Sequence, residues 1–347
     1  MTPIDLRARF VPDSVYLDTP TYGLAADTVV AAMERGLDRW RRGTATMNEY
    51  DTAVALARQL VAETMTTDPA RVAVANQVSV LVGTVAASLD DGSAVIAPEG
   101  DFTSLLFPLL IQEHRGIELR TVPLEDLADA IDTATDLVAF SLVQSADGRV
   151  ADADAIETAA RRNGARLLVD ATQAAGWLPF DPGRFDVTVI SAYKWLLCPR
   201  GTAFMILGTD HSWLRPVLAG WYAGNDPWQS TYGTPLRLAE SARRFDVSPA
   251  WLSWIGAVPA LEILADTGVA RIHRHNVALA ASVERQLDLS PSGSAILTVP
   301  LADTSPLTGR GIAAAMRASS VRVGFHLYND QSDVAALVAA VEDGQKV

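Results

Sequence analysis

Lysine is nearly absent from this sequence. Only Lys194 and Lys346 occur in 347 residues, and arginine supplies the rest of the 28 basic side chains. Lys346 stands one residue from the C-terminus, where chain ends contribute least to a packed site. Chemistry that needs a lysine amine inside the fold therefore falls to Lys194. Cysteine is scarcer still: Cys198 alone excludes an intrachain disulfide and any metal site built from several thiolates. No apolar run approaches the roughly 20 residues that span a bilayer. The longest, 78–89, is interrupted by Ser79, Gly83, Thr84 and Ser88. Residues 1–10 carry Asp5, Arg7 and Arg9 and lack a signal-peptide core, so a cytoplasmic location without a membrane partner is expected. Gly-x-Gly-x-x-Gly and Walker-type loops are missing, which leaves nucleotide binding without positive support. A formal charge of −13 disfavours nucleic acid as a partner, and solubility is its simplest reading. No metal is expected either. His273 and His275 lie two apart on a helical stretch and face different directions.

What is present is a chain of 49% hydrophobic residues, long enough for a large domain and a smaller one. Apolar residues recur at helical spacing over 28–40, 51–65 and 78–89, and helix-like segments follow at 124–131 and 152–163. Short buried runs fall between them at 93–97, 118–122, 137–142, 166–170, 186–191 and 202–207. Such alternation predicts an α/β fold with a mainly parallel sheet covered on both faces, whose ligands bind at the carboxyl ends of strands. Residues 219–233, rich in Gly, Trp, Tyr, Asn and Pro, read as a loop. Ser248-Pro249 then offers an N-cap and a first helical position for a helix running to Thr267 and stopping at Gly268. Beyond it come helix 273–287, strand 295–299, helix 311–319, strand 321–327 and helix 332–341, a small α+β unit. The expected division is a large domain at 15–248 and a small one made of 1–14 and 249–347.

Two strand ends carry the chemistry. Leu167-Leu168-Val169 closes on Asp170, and a carboxylate in such a place is costly without a cation beside it. Two readings fit: the partner of a protonated pyridine nitrogen, or a cap for the next turn. Val187-Thr188-Val189-Ile190-Ser191-Ala192-Tyr193 leads to Lys194, where an unpaired lysine seldom sits. Desolvation and neighbouring positive charge lower the pKa of such an amine and free it for Schiff-base exchange; a snorkelling strand-end lysine is the plainer reading. Phe102 follows strand 93–97 and offers a flat apolar face to a ring, or simply joins the core. Val78 and Ser79 open a helix after Asn76-Gln77, a place suited to phosphate.

Together these residues resemble the class V aminotransferase family of fold-type I pyridoxal 5′-phosphate (PLP) enzymes, over nearly the whole chain from Val15-Tyr16-Leu17-Asp18 to Tyr328-Asn329. The most specific parts are Asp170-Ala171-Thr172-Gln173 and Ser191-Ala192-Tyr193-Lys194-Trp195. The resemblance implies PLP held as a Schiff base on Lys194, with Asp170 on the ring nitrogen, Gln173 beside the ring hydroxyl and Phe102 stacked on the ring. Val78, Ser79, Ser191 and Tyr193 match phosphate contacts, and Ser145 takes the place of a common Asn. Arg322 matches the arginine that grips the substrate carboxylate. A homodimer is implied, with Trp221 or Ser248 reaching across to the cofactor. Tyr22, Trp221, His326 and Tyr328 are candidates for the substrate pocket.

Within that family, desulfurases need a mobile cysteine near the small domain, and none follows Cys198. Gly220-Trp221-Tyr222-Ala223-Gly224 and Arg243-Arg244-Phe245-Asp246 look most like the ergothioneine-type C–S lyase branch. The expected reaction is β-elimination of a sulfur-substituted amino acid to pyruvate and ammonia. Transamination, epimerisation or another PLP reaction on an amino acid in secondary metabolism is the alternative. A catalytically silent fold-type I binding protein is the non-enzymatic one.

Overall fold

Short strands in which every residue is buried must place alternate side chains on opposite faces, and both faces must then be covered. The computed structural model, which describes residues 6–317 and 319–344, resolves the chain in that way. Lys346, and the first five residues of the expected small domain, lie outside the described residues. In chain order the elements are β1 (Val15–Tyr16), α1 (Asp27–Arg41), α2 (Met47–Thr64), β2 (Val72–Ala75), α3 (Val78–Ser88), β3 (Ala94–Pro98) and α4 (Thr103–Leu110). Then come β4 (Glu118–Val122), β5 (Leu137–Ser141), α5 (Ala153–Asn163), β6 (Arg166–Asp170), β7 (Val187–Ser191) and β8 (Ala203–Leu207). The C-terminal part holds α6 (Trp251–Thr267), α7 (Val269–Gln286), β9 (Ile296–Val299), α8 (Ser305–Thr308), β10 (Ile312–Ala313), β11 (Ala315–Arg317), β12 (Ser320–Gly324) and α9 (Gln331–Gly344).

Seven strands form one sheet in the order β2-β8-β7-β6-β5-β3-β4, in which only β8 runs against its neighbours. Alternation decides the two cores. Val138, Phe140, Leu167, Val169, Phe204 and Ile206 face one cluster, shared with α1, α2, α5 and α6. Ala139, Leu168, Val189, Met205 and Leu207 face the other, under α3 and α4. Helix ends follow local chemistry: Thr46 and Glu49 cap α2 reciprocally, and α5 starts on the Asp152 carboxylate and stops at Gly164 in the left-handed region. A second sheet, β11-β12-β9, packs with α7 and α9 in a separate C-terminal cluster that includes Leu17. No single helix among the described residues is long and apolar enough to cross a membrane.

Three sequence expectations need correction. Residues 124–131 form a 3₁₀ turn over Leu124–Asp126 and further turns, because Leu127 and Ile131 alone bury and cannot support a helix nucleus. The helix expected at Ser248-Pro249 starts at Trp251, with Ala250 as an N-cap that offers no side-chain bond. The alanine-rich stretch 311–319 is a helix by propensity but strand by pairing: Ile312–Ala313 runs parallel to Val15–Tyr16, and Ala315–Arg317 forms a hairpin with β12.

The segment after the large sheet is tied to α2 by a buried ion pair and to β2 by a backbone amide. Arg58 Nη2 donates to Asp246 Oδ2 at 2.6 Å, and the Val74 amide donates to Asp246 Oδ1 at 2.8 Å. Asp246→Ala leaves the guanidinium buried without its charge partner and should cost about 3 kcal/mol of unfolding free energy. Urea denaturation measures this; a loss below about 1 kcal/mol would show that the pair does not hold the segment.

Candidate active site

The carboxyl ends of β5, β6 and β7 open into a cavity of about 260 Å³. Its walls include Asn76, Gln77, Val78 and Ser79 from the start of α3, Phe102 at the start of α4, and Ser141 and Ser145 after β5. Asp170, Thr172 and Gln173 come from the end of β6, and Ser191, Tyr193, Lys194 and Arg200 from the β7–β8 connection. Nine of the residues singled out in the sequence thus meet in one place: Val78, Ser79, Phe102, Ser145, Asp170, Gln173, Ser191, Tyr193 and Lys194.

Lys194 stands three residues beyond the end of β7, on a loop closed by Ala192 N–H to Thr202 O and Cys198 N–H to Ala192 O, both at 3.0 Å. Residues 20–24 press on this loop from the other side. Gly23 N–H donates to Tyr193 O at 2.9 Å, and a Cβ at Gly23 would stand 2.1 Å from Lys194 O. The lysine backbone is therefore fixed by a contact that only glycine permits. Its side chain is buried, with Nζ 5.3 Å from the centroid of Phe102 and no carboxylate within ion-pair distance among the described residues. Burial holds its pKa down at about 8, with Arg322 and Arg317 pushing the same way against the attraction of Asp170.

Asp170 is buried at the end of β6, and its Oδ1 accepts the Thr172 amide at 2.8 Å. Burial raises its pKa to about 6; Thr172 opposes this, and the nearby Asp101 carboxylate adds to it. Asp101 itself is engaged by the Ser141 amide at 2.8 Å and by Gln144 at 3.2 Å. Thr172 Oγ1 accepts the Ser191 amide at 2.9 Å, tying the ends of β6 and β7 together.

Gln173 has one permitted amide orientation. Trp195 Nε1–H can only donate, so it fixes Oε1 as its acceptor at 2.8 Å; the Pro20 carbonyl can only accept, so it fixes Nε2 as the donor at 2.9 Å. Nε2 also donates to Ser145 Oγ at 3.0 Å, and Arg322 Nη1 donates to the same oxygen at 3.2 Å. With both lone pairs of Ser145 taken, its own proton is left for the cavity. Arg322 is 1% exposed, donates from Nη2 to Thr21 Oγ1 at 2.8 Å, and keeps its Nε–H without a partner among the described residues.

On the opposite side, α3 begins at Gln77 with no side-chain cap, so its first amides open toward the cavity beside the Ser79 hydroxyl. Arg200, exposed, stacks its guanidinium 4.8 Å from the centroid of the Tyr193 ring. The Phe102 ring is 43% exposed, a flat apolar face open at the cavity.

These features fit PLP. The uncapped helix start with Ser79, Ser191, Tyr193 and Arg200 can hold a phosphate. Phe102 can cover a ring, and the raised Asp170 carboxylate is suited to a protonated ring nitrogen. Lys194 supplies the amine, and Arg322, which does not itself line the cavity, is joined to it through Ser145 and has an Nε–H free for an anionic oxygen.

Other candidates lie elsewhere. Tyr22 is 43% exposed and stands 5.7 Å from the Tyr193 ring, beside the cavity, without lining it. Trp221 packs with Tyr222 and Trp228, apart from the lining residues. His326 and Tyr328 are core groups: His326 Nε2 bonds Trp195 O at 3.0 Å, and the Tyr328 hydroxyl bonds Thr19. His273 stacks on Trp177 while His275 bonds Asn329 O, so the two do point apart. No group of three or more His, Cys, Asp or Glu able to hold a metal occurs among the described residues. Sequence reasoning missed Arg200, Thr172, Ser141 and Arg317. Arg317 donates from Nη2 to Thr21 Oγ1 at 2.9 Å, the oxygen that Arg322 also engages.

A family model described as Aminotransferase class-V matches residues 15–309. The chain is 28% identical over 304 residues to an uncharacterized aminotransferase, YcbU, of Bacillus subtilis (strain 168), covering 80% of each protein. It is 28% identical over 284 residues to the isopenicillin N epimerase of Streptomyces clavuligerus, covering 74% of this chain and 69% of that one. A solved complex of the cystine C–S lyase C-DES with its product cysteine persulfide superposes with a TM-score of 0.86 at 21% identity, covering 96% of this chain and 98% of the other.

Because only the neutral amine attacks an aldehyde, PLP capture by the apoprotein should accelerate as pH rises through about 8 and then level off. Stopped-flow absorbance against pH tests this. A midpoint near 10.5, the ordinary lysine value, would exclude a desolvated Lys194 as the acceptor.

Proposed function

We propose, from the premise that this chain belongs to the class V aminotransferase family, that it cleaves the Cβ–S bond of a sulfur-substituted amino acid. PLP is the cofactor of the family, and the chain is a PLP-dependent enzyme acting on an amino acid. When bound, PLP supplies an aldehyde for the substrate amine and a ring that accepts the electrons released at Cα.

The residues divide the rest of the work. Arg322 holds the substrate carboxylate through its free Nε–H, and Ser145, already saturated as an acceptor, donates its proton into the cavity. Lys194 Nζ, neutral at modestly alkaline pH, removes the Cα proton and can return it. Asp170 keeps a proton on the ring nitrogen; the nearby Asp101 carboxylate and the dry surroundings make losing that proton unfavourable. Val78, Ser79, Ser191 and Tyr193 anchor the phosphate. Trp221 and the exposed Trp228, Tyr232 and Leu236 are assigned to contact with a second copy in a homodimer. The balanced reaction takes one substrate and one water to pyruvate, ammonia and the free thiol.

The observation that carries this reading is the state of Cys198. A desulfurase hands sulfur to a mobile cysteine, whereas the single cysteine here is buried, bonded to the Leu196 carbonyl at 3.3 Å, and its thiol pKa is pushed far up by burial. With no thiol to receive it, sulfur leaves with its own substituent.

Holoenzyme given a cysteine S-conjugate should release pyruvate, ammonia and thiol in equal amounts. A keto acid that keeps the substituent would identify a transaminase, and inversion at Cα an epimerase; either would sink the lyase assignment. Asp170→Asn should slow turnover by about a hundredfold or more with PLP still bound, and Lys194→Ala should abolish both turnover and the visible band of the lysine-bound cofactor. Near-normal rates in either variant would remove the corresponding role.

A further inference from the structure

The Thr21 hydroxyl joins two guanidinium groups. Arg322 Nη2 donates to Oγ1 at 2.8 Å and Arg317 Nη2 at 2.9 Å, while the hydroxyl proton serves the Asp18 carboxylate. The hairpin geometry explains the convergence. Arg317 pairs with Ser320 and Arg322 with Ala315, so the two arginines sit on the same face of β11–β12 one step apart along the diagonal. Like charges this close repel, and an anion must offset the repulsion.

The charges already present do not suffice. Lys194, Arg317 and Arg322 act on one another across the site, and two carboxylates face them. Asp170 belongs to the cofactor ring. Asp18 stands 3.8 Å from Arg322 Nη2, keeps Oδ1 without a hydrogen bond among the described residues, and has its pKa raised by burial against the pull of Thr21 and both arginines. Arg322 suffices for one carboxylate by itself, since its Nε–H and the second Nη2–H lie on a single edge. Arg317, half-buried, spends Nη1 on the Met316 carbonyl and has no carboxylate within ion-pair distance among the described residues.

We propose that Arg317 reads a second anionic group on the substrate, so that the site selects amino acids whose side chain ends in a carboxylate or a sulfur oxyanion. This rests on Arg322 holding the α-carboxylate. Thr21 is then the positioning residue that fixes the spacing of the two guanidinium groups, and Asp18 holds the pair in place before the substrate arrives.

The test uses the folded holoenzyme and unreactive anions, with calorimetric affinity as the readout: propionate for one carboxylate, succinate for two, and 3-sulfopropionate for the sulfur oxyanion. Wild type should bind succinate and 3-sulfopropionate about tenfold more tightly than propionate, a gain of the size expected for one partly screened charge-assisted bond. Arg317→Ala should erase that preference by weakening succinate and 3-sulfopropionate far more than propionate; Arg317→Lys, which keeps the charge, should restore part of it and controls for folding. Arg322→Ala should weaken all three anions. No dianion preference in wild type, or a preference that survives Arg317→Ala, overturns the inference while leaving the Arg322 seat intact. Unchanged propionate binding in Arg322→Ala overturns the seat itself, and the inference with it.

Discussion

The site depends on keeping one amine dry. A lysine carries a charge in water at neutral pH, and the fold holds the Lys194 Nζ where that charge is poorly solvated and no carboxylate among the described residues comes within ion-pair range to restore it. Burial alone would eject a lysine by rotating its flexible stem to solvent. What prevents this is the backbone beneath it: a loop closed across β7 and β8 and pressed by Gly23, so that the chain cannot tilt to let the stem swing out. Asp170 is the complementary case. It sits at the end of the neighbouring strand, in register with Val189 of β7, close enough to attract the amine and too far to pair with it. The gap between two unfulfilled charges is the place proposed for a ring carrying an aldehyde at one point and a basic nitrogen at another.

Much of this was legible in the sequence, for a physical reason. At or just past the carboxyl end of a strand that is buried almost throughout, a charged residue is conspicuous, which marks Asp170 and Lys194. The start of α3 and the position of Phe102 follow from strand-then-helix order. The parts that were not legible depend on pairing between distant segments. Gln173 is oriented by Trp195 and Pro20, and Arg322 is held by Thr21 and Ser145, none of which lies near it in sequence. Arg317 was hidden by a wrong period: read as a helix, 311–319 sends its arginine away from Arg322, whereas a hairpin puts both on one face. Alanine content favoured the helix, and the edge offered by β1 together with the return of β12 outweighed it.

The anion seat also ties two sheets to one site. Arg322 belongs to β12 of the C-terminal sheet, yet its hydrogen bonds go to Ser145, beyond β5 of the large sheet, and to Thr21 in the segment that clamps Lys194. Gly148, at φ +84, is wedged against the Ile296 carbonyl of β9, so the Ser145 loop is seated on the small sheet as well. Any shift of one sheet against the other moves Arg322, Ser145 and Gln173 together, because they share hydrogen bonds. Rigid coupling of this kind fixes Arg322, the proposed carboxylate grip, relative to the Lys194 loop, as proton transfer at Cα would require.

A chain of net charge −13 should repel anionic ligands at long range, yet both the cofactor phosphate and the substrate carboxylate are anions. The distribution of charge resolves this. Many arginines away from the site are matched to carboxylates, as in Arg115 with Asp91, Arg149 with Glu125 and Asp147, and Arg184 with Asp154 and Glu157. In the cavity wall, Arg200 and Lys194 lack an ion-pair partner among the described residues; next to it Arg317 lacks one too, and Arg322 has only a distant one. The far field is screened within about 8 Å at physiological ionic strength, so a ligand at the cavity mouth feels the local cations and not the distant acids. Lys194 and Arg200 in the cavity wall, with the uncapped amides at the start of α3, thus give an anion a local attraction that the distant acids do not cancel.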